Sequence, residues 1–168
     1  MPHPKKKRKK RAGEHQQMPS LSDVDKAYLA GLIDGEGCIG IYSKKPTGTR
    51  TVPYHQLMMS VSMMDEGPVE FMACLTASYH SLKMHRLTRT GTCYDVRLYG
   101  KRAANFLKQI LPYMKGKRDQ AEMAIRFYDE CYFSNTNVRP DDEEIARRQW
   151  FEWQLKEMKH GQQEAYEA

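Results

Sequence analysis

Nine residues, Leu29-Ala30-Gly31-Leu32-Ile33-Asp34-Gly35-Glu36-Gly37, constrain this chain more than any other stretch. They combine an apolar helix, a row of small residues and two carboxylates at the helix exit. Ala27, Gly31 and Gly35 recur every four residues and so stack along one helical face. Each glycine costs a helix about 1 kcal/mol relative to alanine. Close approach of a second backbone offsets that cost where helices cross. Asp34 and Glu36 fall where the helix macrodipole is negative, which disfavours anions. A divalent cation bound there would offset the repulsion. The segment reads as a helix pair carrying a metal site at its end.

The flanking sequence supports a helix followed by strands. Ser22 with Asp25 three residues on forms a capping arrangement at the helix start. Gly37 ends the helix, and Cys38-Ile39-Gly40-Ile41-Tyr42 reads as a strand. Pro46-Thr47-Gly48 marks a turn. From Gln56 to Met63 the pattern alternates, with Leu57, Met59, Val61 and Met63 on one face and Gln56, Met58, Ser60 and Ser62 on the other. That period of two predicts a strand buried on one face. Asp65-Glu66-Gly67-Pro68 starts a helix through about Tyr79, with proline tolerated in its first turn. Residues 81–88 and 92–99 read as a hairpin, Tyr94, Val96 and Leu98 opposing Cys93, Asp95, Arg97 and Tyr99. Lys101 to Leu111 is helical, with Ala103, Phe106, Leu107 and Ile110 as its apolar stripe and Pro112 ending it. The basic run Lys115-Gly116-Lys117-Arg118 leads into another helix through about Tyr132. After a linker, Asp141 to about His160 forms a last amphipathic helix anchored by Trp150, Trp153 and Leu155. The order is an α+β layout, with helices on one side of a curved antiparallel sheet.

Composition bounds the rest. The 168 residues suffice for one domain with a real core. No apolar run approaches the roughly 20 residues that span a bilayer, and no secretory signal is expected, because the charged N-terminus lacks an apolar stretch behind it. Cys38, Cys74, Cys93 and Cys131 show no C-x-x-C spacing, so reduced buried thiols in an intracellular protein are expected, without a zinc site. The net charge of +6, from 27 basic and 21 acidic residues, is uneven. Residues 1–17 hold seven basic and one acidic residue, residues 18–140 hold 16 and 12, and residues 141–168 hold four and eight. Residues 1–19 are expected to be a disordered basic arm, because like charges repel and nothing there can pack. Its run Pro4 to Lys9 resembles a nuclear import signal; a flexible arm adding phosphate contacts, or a stretch added for expression, are the other readings. The 20–134 region is then the core and 135–168 a linker and helical extension.

The nine residues strongly resemble the name-giving motif of the LAGLIDADG homing endonucleases, with seven of nine positions identical and Gly-Glu replacing the terminal Ala-Asp. The family's core order, αββαββα with the sheet as a DNA-binding saddle, matches the layout above over about two thirds of the chain. The resemblance implies a site-specific, magnesium-dependent double-strand DNA endonuclease, with Mn²⁺ substituting and Ca²⁺ supporting binding without cleavage. One motif supplies one helix and one acid, so two chains are needed, and twofold symmetry implies a roughly palindromic target. Double-stranded DNA and a second copy of the chain are the implied partners, with no membrane. By resemblance Glu36 is the metal ligand, helped by the Gly35 carbonyl, while Asp34 bonds backbone at the helix end. Asp65 falls where members orient active-site water, and it also suits the N-cap of the next helix. Lys117 falls where members carry a lysine that polarises water or neutralises phosphate; a plain surface lysine is the alternative. An arginine some members carry is here Val69.

DNA binding is expected to follow the sheet. Tyr42, Lys44, Gln56, Ser60, Ser62, Asp95 and Arg97 have the spacing to reach base edges in a major groove, and Lys45, Arg50, Lys83 and Arg89 to hold phosphates. Ala27, Gly31 and Gly35 are the expected dimer interface. Two other activities go with the same resemblance: an RNA maturase assisting group I intron splicing, and a DNA-binding protein that does not cut.

Overall fold

The structure, a computed structural model, describes residues 20–44, 53–76, 85–88, 91–131 and 140–167. The basic arm at 1–19 lies outside the described residues. The elements run α1 (Asp23–Glu36), β1 (Gly37–Lys44), β2 (Tyr54–Met63), α2 (Glu66–Leu75), β3 (His85–Thr88), β4 (Gly91–Tyr99), α3 (Gly100–Ile110), a 3₁₀ turn (Leu111–Tyr113), α4 (Arg118–Cys131) and α5 (Asp142–Glu167). The expected αββαββα order is therefore present, followed by two further helices. The last expected turn of α2, at 77–79, lies outside the described residues.

Local chemistry sets the boundaries. Ser22 caps α1, its Oγ accepting from Asp25 N at 3.1 Å and donating to Asp25 Oδ2 at 2.6 Å. Asp65 caps α2 by accepting from Gly67 N at 3.0 Å. Gly100 turns β4 into α3 at φ 51, a left-handed conformation that glycine adopts without penalty. Gly37 is needed for a different reason. Its backbone is ordinary extended chain (φ −74), but a Cβ there would lie 2.7 Å from Ile33 O and 2.8 Å from Ile33 Cα. The helix end folds back so tightly onto the start of β1 that no side chain fits.

The four antiparallel strands run in the order β1-β2-β4-β3. Gly37 pairs with Val61 and Tyr42 with Gln56, while Met58 pairs with Tyr99 and Ser62 with Asp95. β3 pairs with the start of β4, His85 opposite Cys93 and Thr88 opposite Gly91. The alternation in β2 is real: Leu57, Met59 and Val61 are fully buried beneath the helices. Ile39 and Ile41 of β1 and Val96 and Leu98 of β4 join them on that face, with the predicted stripe of α3 and with Leu29, Ala30 and Ile33 of α1.

Two expectations change. The anchors of α5 are Phe151 and Leu155, both buried, whereas Trp150 and Trp153 are exposed. Residues 151 and 155 share a face four apart, and that phase turns both tryptophans outward. Phe151 meets Phe127 of α4 edge-on at 5.8 Å, so α5 shares the common core. Of the four free cysteines only Cys131 is buried; Cys74 is exposed and Cys38 and Cys93 are half-buried. His55, just before the stretch read as alternating, is buried, its Nε2 3.4 Å from Glu152 Oε2 of α5. Burial holds that imidazole below its usual pKa and favours its neutral form, against the opposing pull of Glu152. Among the described residues no helix is long and apolar enough to cross a membrane.

The crowding at Gly37 gives a direct test. Gly37→Ala should destabilise the chain by about 1–3 kcal/mol, because backbone and not a flexible side chain must move. Urea unfolding of parent and variant measures it, and equal midpoints would show that the helix end has slack.

Candidate active site and nucleic-acid interface

The exit of α1 is held by two reciprocal sets of bonds from the segment before α4. Asp34 Oδ2 accepts from Lys115 N at 2.7 Å and Oδ1 from Lys117 N at 2.9 Å, with the Gly116 amide also contributing. In return the Lys117 ammonium donates to the carbonyls of Gly37 (2.8 Å), Ile33 (3.1 Å) and Gly35 (3.4 Å). A helix C-terminus leaves carbonyls without intrahelical partners, and the lysine satisfies them while placing positive charge at the negative end of the dipole. That is the compensation the sequence reading assigned to a metal. Partial burial alone would raise the Asp34 pKa, but the three amides hold it below the usual carboxylate value. Burial lowers the Lys117 pKa despite the nearby charges of Asp34 and Glu36.

Glu36 is thereby left over. It is exposed and makes no hydrogen bond or ion pair among the described residues. The Gly35 backbone beside it is exposed too. Asp65 follows β2 by two residues, at the end of the sheet where β1 begins, as the antiparallel register requires. Its Oδ1 is engaged in the cap and its side chain is exposed. Among the described residues no three His, Cys, Asp or Glu gather so as to hold a metal ion. A carboxylate and a backbone carbonyl are hard oxygen donors of the kind magnesium and calcium take. The donor set fits such an ion but is only part of its shell.

Opposite the helices, the sheet presents an open face. Tyr42 is exposed and Gln56, Met58 and Ser60 are half-buried, with Ser62 exposed at the Asp65 end. The Tyr42 hydroxyl lies 3.7 Å from the Cys38 sulfur, and partial burial with that contact pushes its pKa up to about 12. Met58 belongs to this face between Gly40 and Tyr99, so the register expected for β2 holds. Asp95 departs from the expected readout role. It is buried, accepts from Ser62 Oγ at 2.7 Å, and pairs with Arg97 Nε at 2.6 Å. Both its oxygens are occupied, so it orients Arg97 instead of facing a base. Arg97 remains partly exposed. Lys45, Arg50, Lys83 and Arg89 lie outside the described residues, as does the side chain of Lys44, whose backbone closes β1.

No family model matches the sequence, and no curated protein matches it. Solved structures do. The homing endonuclease I-CvuI, in complex with the I-CreI target in magnesium with the DNA not cleaved, superposes with a TM-score of 0.62 at 18% identity, covering 79% of this chain and 80% of that one. The archaeal intron-encoded homing endonuclease I-Vdi141I, complexed with DNA, gives 0.58 at 16%, covering 80% and 84%. The LAGLIDADG homing endonuclease I-LtrWI, bound to target DNA, gives 0.57 at 18%; here 81% of this chain covers only 45% of that one. The chain has the LAGLIDADG homing endonuclease fold.

Within that fold, α1 has a bare outer face. Ala27, Gly31 and Gly35 are all exposed, and a Cβ at Gly31 or Gly35 would meet nothing within 4 Å. Val24 and Tyr28 extend the same face, and Tyr28 meets Phe71 of α2 edge-on at 5.5 Å, both rings exposed. The small-residue row signalled this face, but Phe71 lies on another element and carried no signal. Lys159, which reaches Cys38 on β1, was also missed.

The Asp34 cradle predicts a pH signature. Asp34→Ala should cost about 0.5–1.5 kcal/mol near neutrality, since the amides lose a charged acceptor but are exposed or half-buried and water can replace it. Because the folded-state pKa is depressed from 3.8, that contribution is complete above about pH 4 and fades as pH falls through the depressed value. Urea unfolding at pH 7 and pH 3 should show the gap between parent and variant narrowing in acid. A gap that does not change with pH would assign the loss to packing instead of charge.

Proposed function

We propose that the chain is a homodimeric, magnesium-dependent, site-specific DNA endonuclease that hydrolyses both strands of a long, roughly palindromic duplex. The observation that carries the reading is Glu36. At a helix end where Asp34 and the carbonyls of Ile33, Gly35 and Gly37 are engaged, one exposed carboxylate is left unbonded beside an open antiparallel face. The same acid is compatible with an added maturase role, whereas a DNA binder that does not cut makes no use of it; a magnesium-dependent cut in target DNA separates the readings.

Glu36 and the Gly35 carbonyl would hold the ion. When bound, a divalent cation supplies an activated water, charge stabilisation at phosphorus and a stabilised leaving oxygen. The remaining parts belong to the protein. Lys117 fixes the α1 carbonyls, Gly35 among them, and keeps an ammonium within the field of the phosphate. Asp65 spends one oxygen on the α2 cap and has a second to orient water. The sheet lies in the major groove, which admits a two-stranded ribbon and offers a distinct pattern for every base pair. Tyr42, Gln56, Ser60, Ser62 and Arg97 supply the contacts. Each chain offers one such acid, so the two strands need two chains, joined at the bare α1 face.

Glu36→Gln tests the chemistry. The amide keeps the shape and removes the charge that holds the cation. Cut sites are first selected from a randomised DNA library in magnesium. The variant should then bind the selected duplex in calcium as the parent does, yet lose cleavage in magnesium. Cleavage within about tenfold of the parent, about 1.4 kcal/mol, would remove Glu36 from the mechanism.

Gly31→Leu tests the assembly without any target. Leucine favours the helix and meets open space in a lone chain, so the variant should fold. At a crossing of two backbones the same side chain should cost of order 1–3 kcal/mol per insertion. Sedimentation should show the parent at twice the 19.6 kDa chain mass and the variant shifted toward monomer. A monomeric parent on and off DNA, or a variant that stays dimeric, would sink this interface.

A further inference from the structure

Helix α5 follows the outer edge of the sheet, because β1, against which it packs, is an edge strand. Its Glu152 carboxylate accepts from Ser43 Oγ at 3.3 Å near one end of β1. Seven residues later, Lys159 Nζ lies 3.5 Å from Cys38 Sγ near the other end. The helix therefore runs antiparallel to β1, toward the exit of α1. Cys38 alternates with the buried Ile39, so its sulfur belongs to the open face, and the ammonium comes round the sheet edge to reach it. Gly40 helps to make room, since a Cβ there would lie 3.4 Å from Nζ and 3.0 Å from the Tyr42 ring. Cys38 stands two residues beyond Glu36, the last residue of α1. The Lys117 ammonium lies within electrostatic reach of Glu36, Cys38 and Lys159 together.

A half-buried ammonium is thus held over the open face beside the free acid, and its acceptor is a thiol. Sulfur is a weak acceptor, whereas a phosphate oxygen forms a short, charge-assisted bond with an ammonium. We propose that Lys159 is a DNA-contacting residue of this site, whose ammonium leaves the Cys38 sulfur for a backbone phosphate next to the one attacked at Glu36. The C-terminal helix is then part of the active centre. This rests on the endonuclease reading above.

The test uses a mixed-sequence duplex, titrated with the full-length protein over a range of potassium chloride. Lys159→Met should lower the salt slope of binding by about 0.9 for each lost phosphate contact, and Lys159→Arg should restore it. Lys108→Met, removing a lysine paired with Asp129 between α3 and α4, should leave the slope unchanged. Independently, the duplex should slow N-ethylmaleimide labelling of Cys38, mapped by mass spectrometry, while exposed Cys74 on α2 labels as before. If the parent binds and Lys159→Met keeps its slope, or if Cys38 labels equally with and without DNA, the proposal falls and the endonuclease reading stands. A parent with no affinity for duplex DNA would overturn both.

Discussion

The exchange between Asp34 and the 115–117 segment holds the candidate site together. A carboxylate at the negative end of a helix is unfavourable by itself, yet here it binds three amides contributed from more than eighty residues away. The ammonium of that same segment fills the carbonyls the helix leaves open. Each half repairs the electrostatic fault of the other. The exchange also joins α1, the first strand and the approach to α4 at one point. Without it the helix end would need a cation or water to satisfy its carbonyls, and a cation held there would draw the Glu36 carboxylate onto it. Because Lys117 already caps the helix, Glu36 is left free to bind something else.

Much of the fold could be read from periodicity. Alternation in β2 and the stripe of α3 each name one buried face, and burial on that face is a local consequence of strand and helix geometry. The candidate site was legible where residues adjoin in sequence, as with Glu36 and the Asp65 cap. It was illegible where partners come from distant segments. Alternation places Asp95 on the open face but says nothing of depth, and Ser62 across the pairing and Arg97 two residues along β4 enclose it. Trp150 and Trp153 suggested anchors by size alone; one helical phase later, Phe151 and Leu155 take that place. Lys159 and Cys38 are 121 residues apart, and only the path of α5 along β1 unites them.

The bare face of α1 bears on the same question of return. Gly31 and Gly35 weaken the helix, and among the described residues no atom lies within 4 Å of where their side chains would begin. Neighbouring Tyr28 and Phe71 leave aromatic surface in water as well. A lone chain has no use for either feature, whereas a second helix crossing at close range would use both.

Such a crossing brings two Glu36 carboxylates toward each other, and like charges in proximity oppose assembly. The surrounding charges limit that repulsion. Each chain brings to the exit of α1 the unbonded Glu36, an Asp34 held ionised by backbone amides, and the ammoniums of Lys117 and Lys159. In the proposed dimer the two acids and two ammoniums of each chain balance before any ion or DNA arrives. Phosphates entering over the open face would meet the ammoniums, and the unbonded negative charge is confined to the Glu36 pair, where a divalent cation would bind. Positive charge for the backbone and negative charge for the ion are kept apart by a few residues of β1. Gly37 makes that separation possible, because only a residue without a side chain lets the strand leave the helix so abruptly.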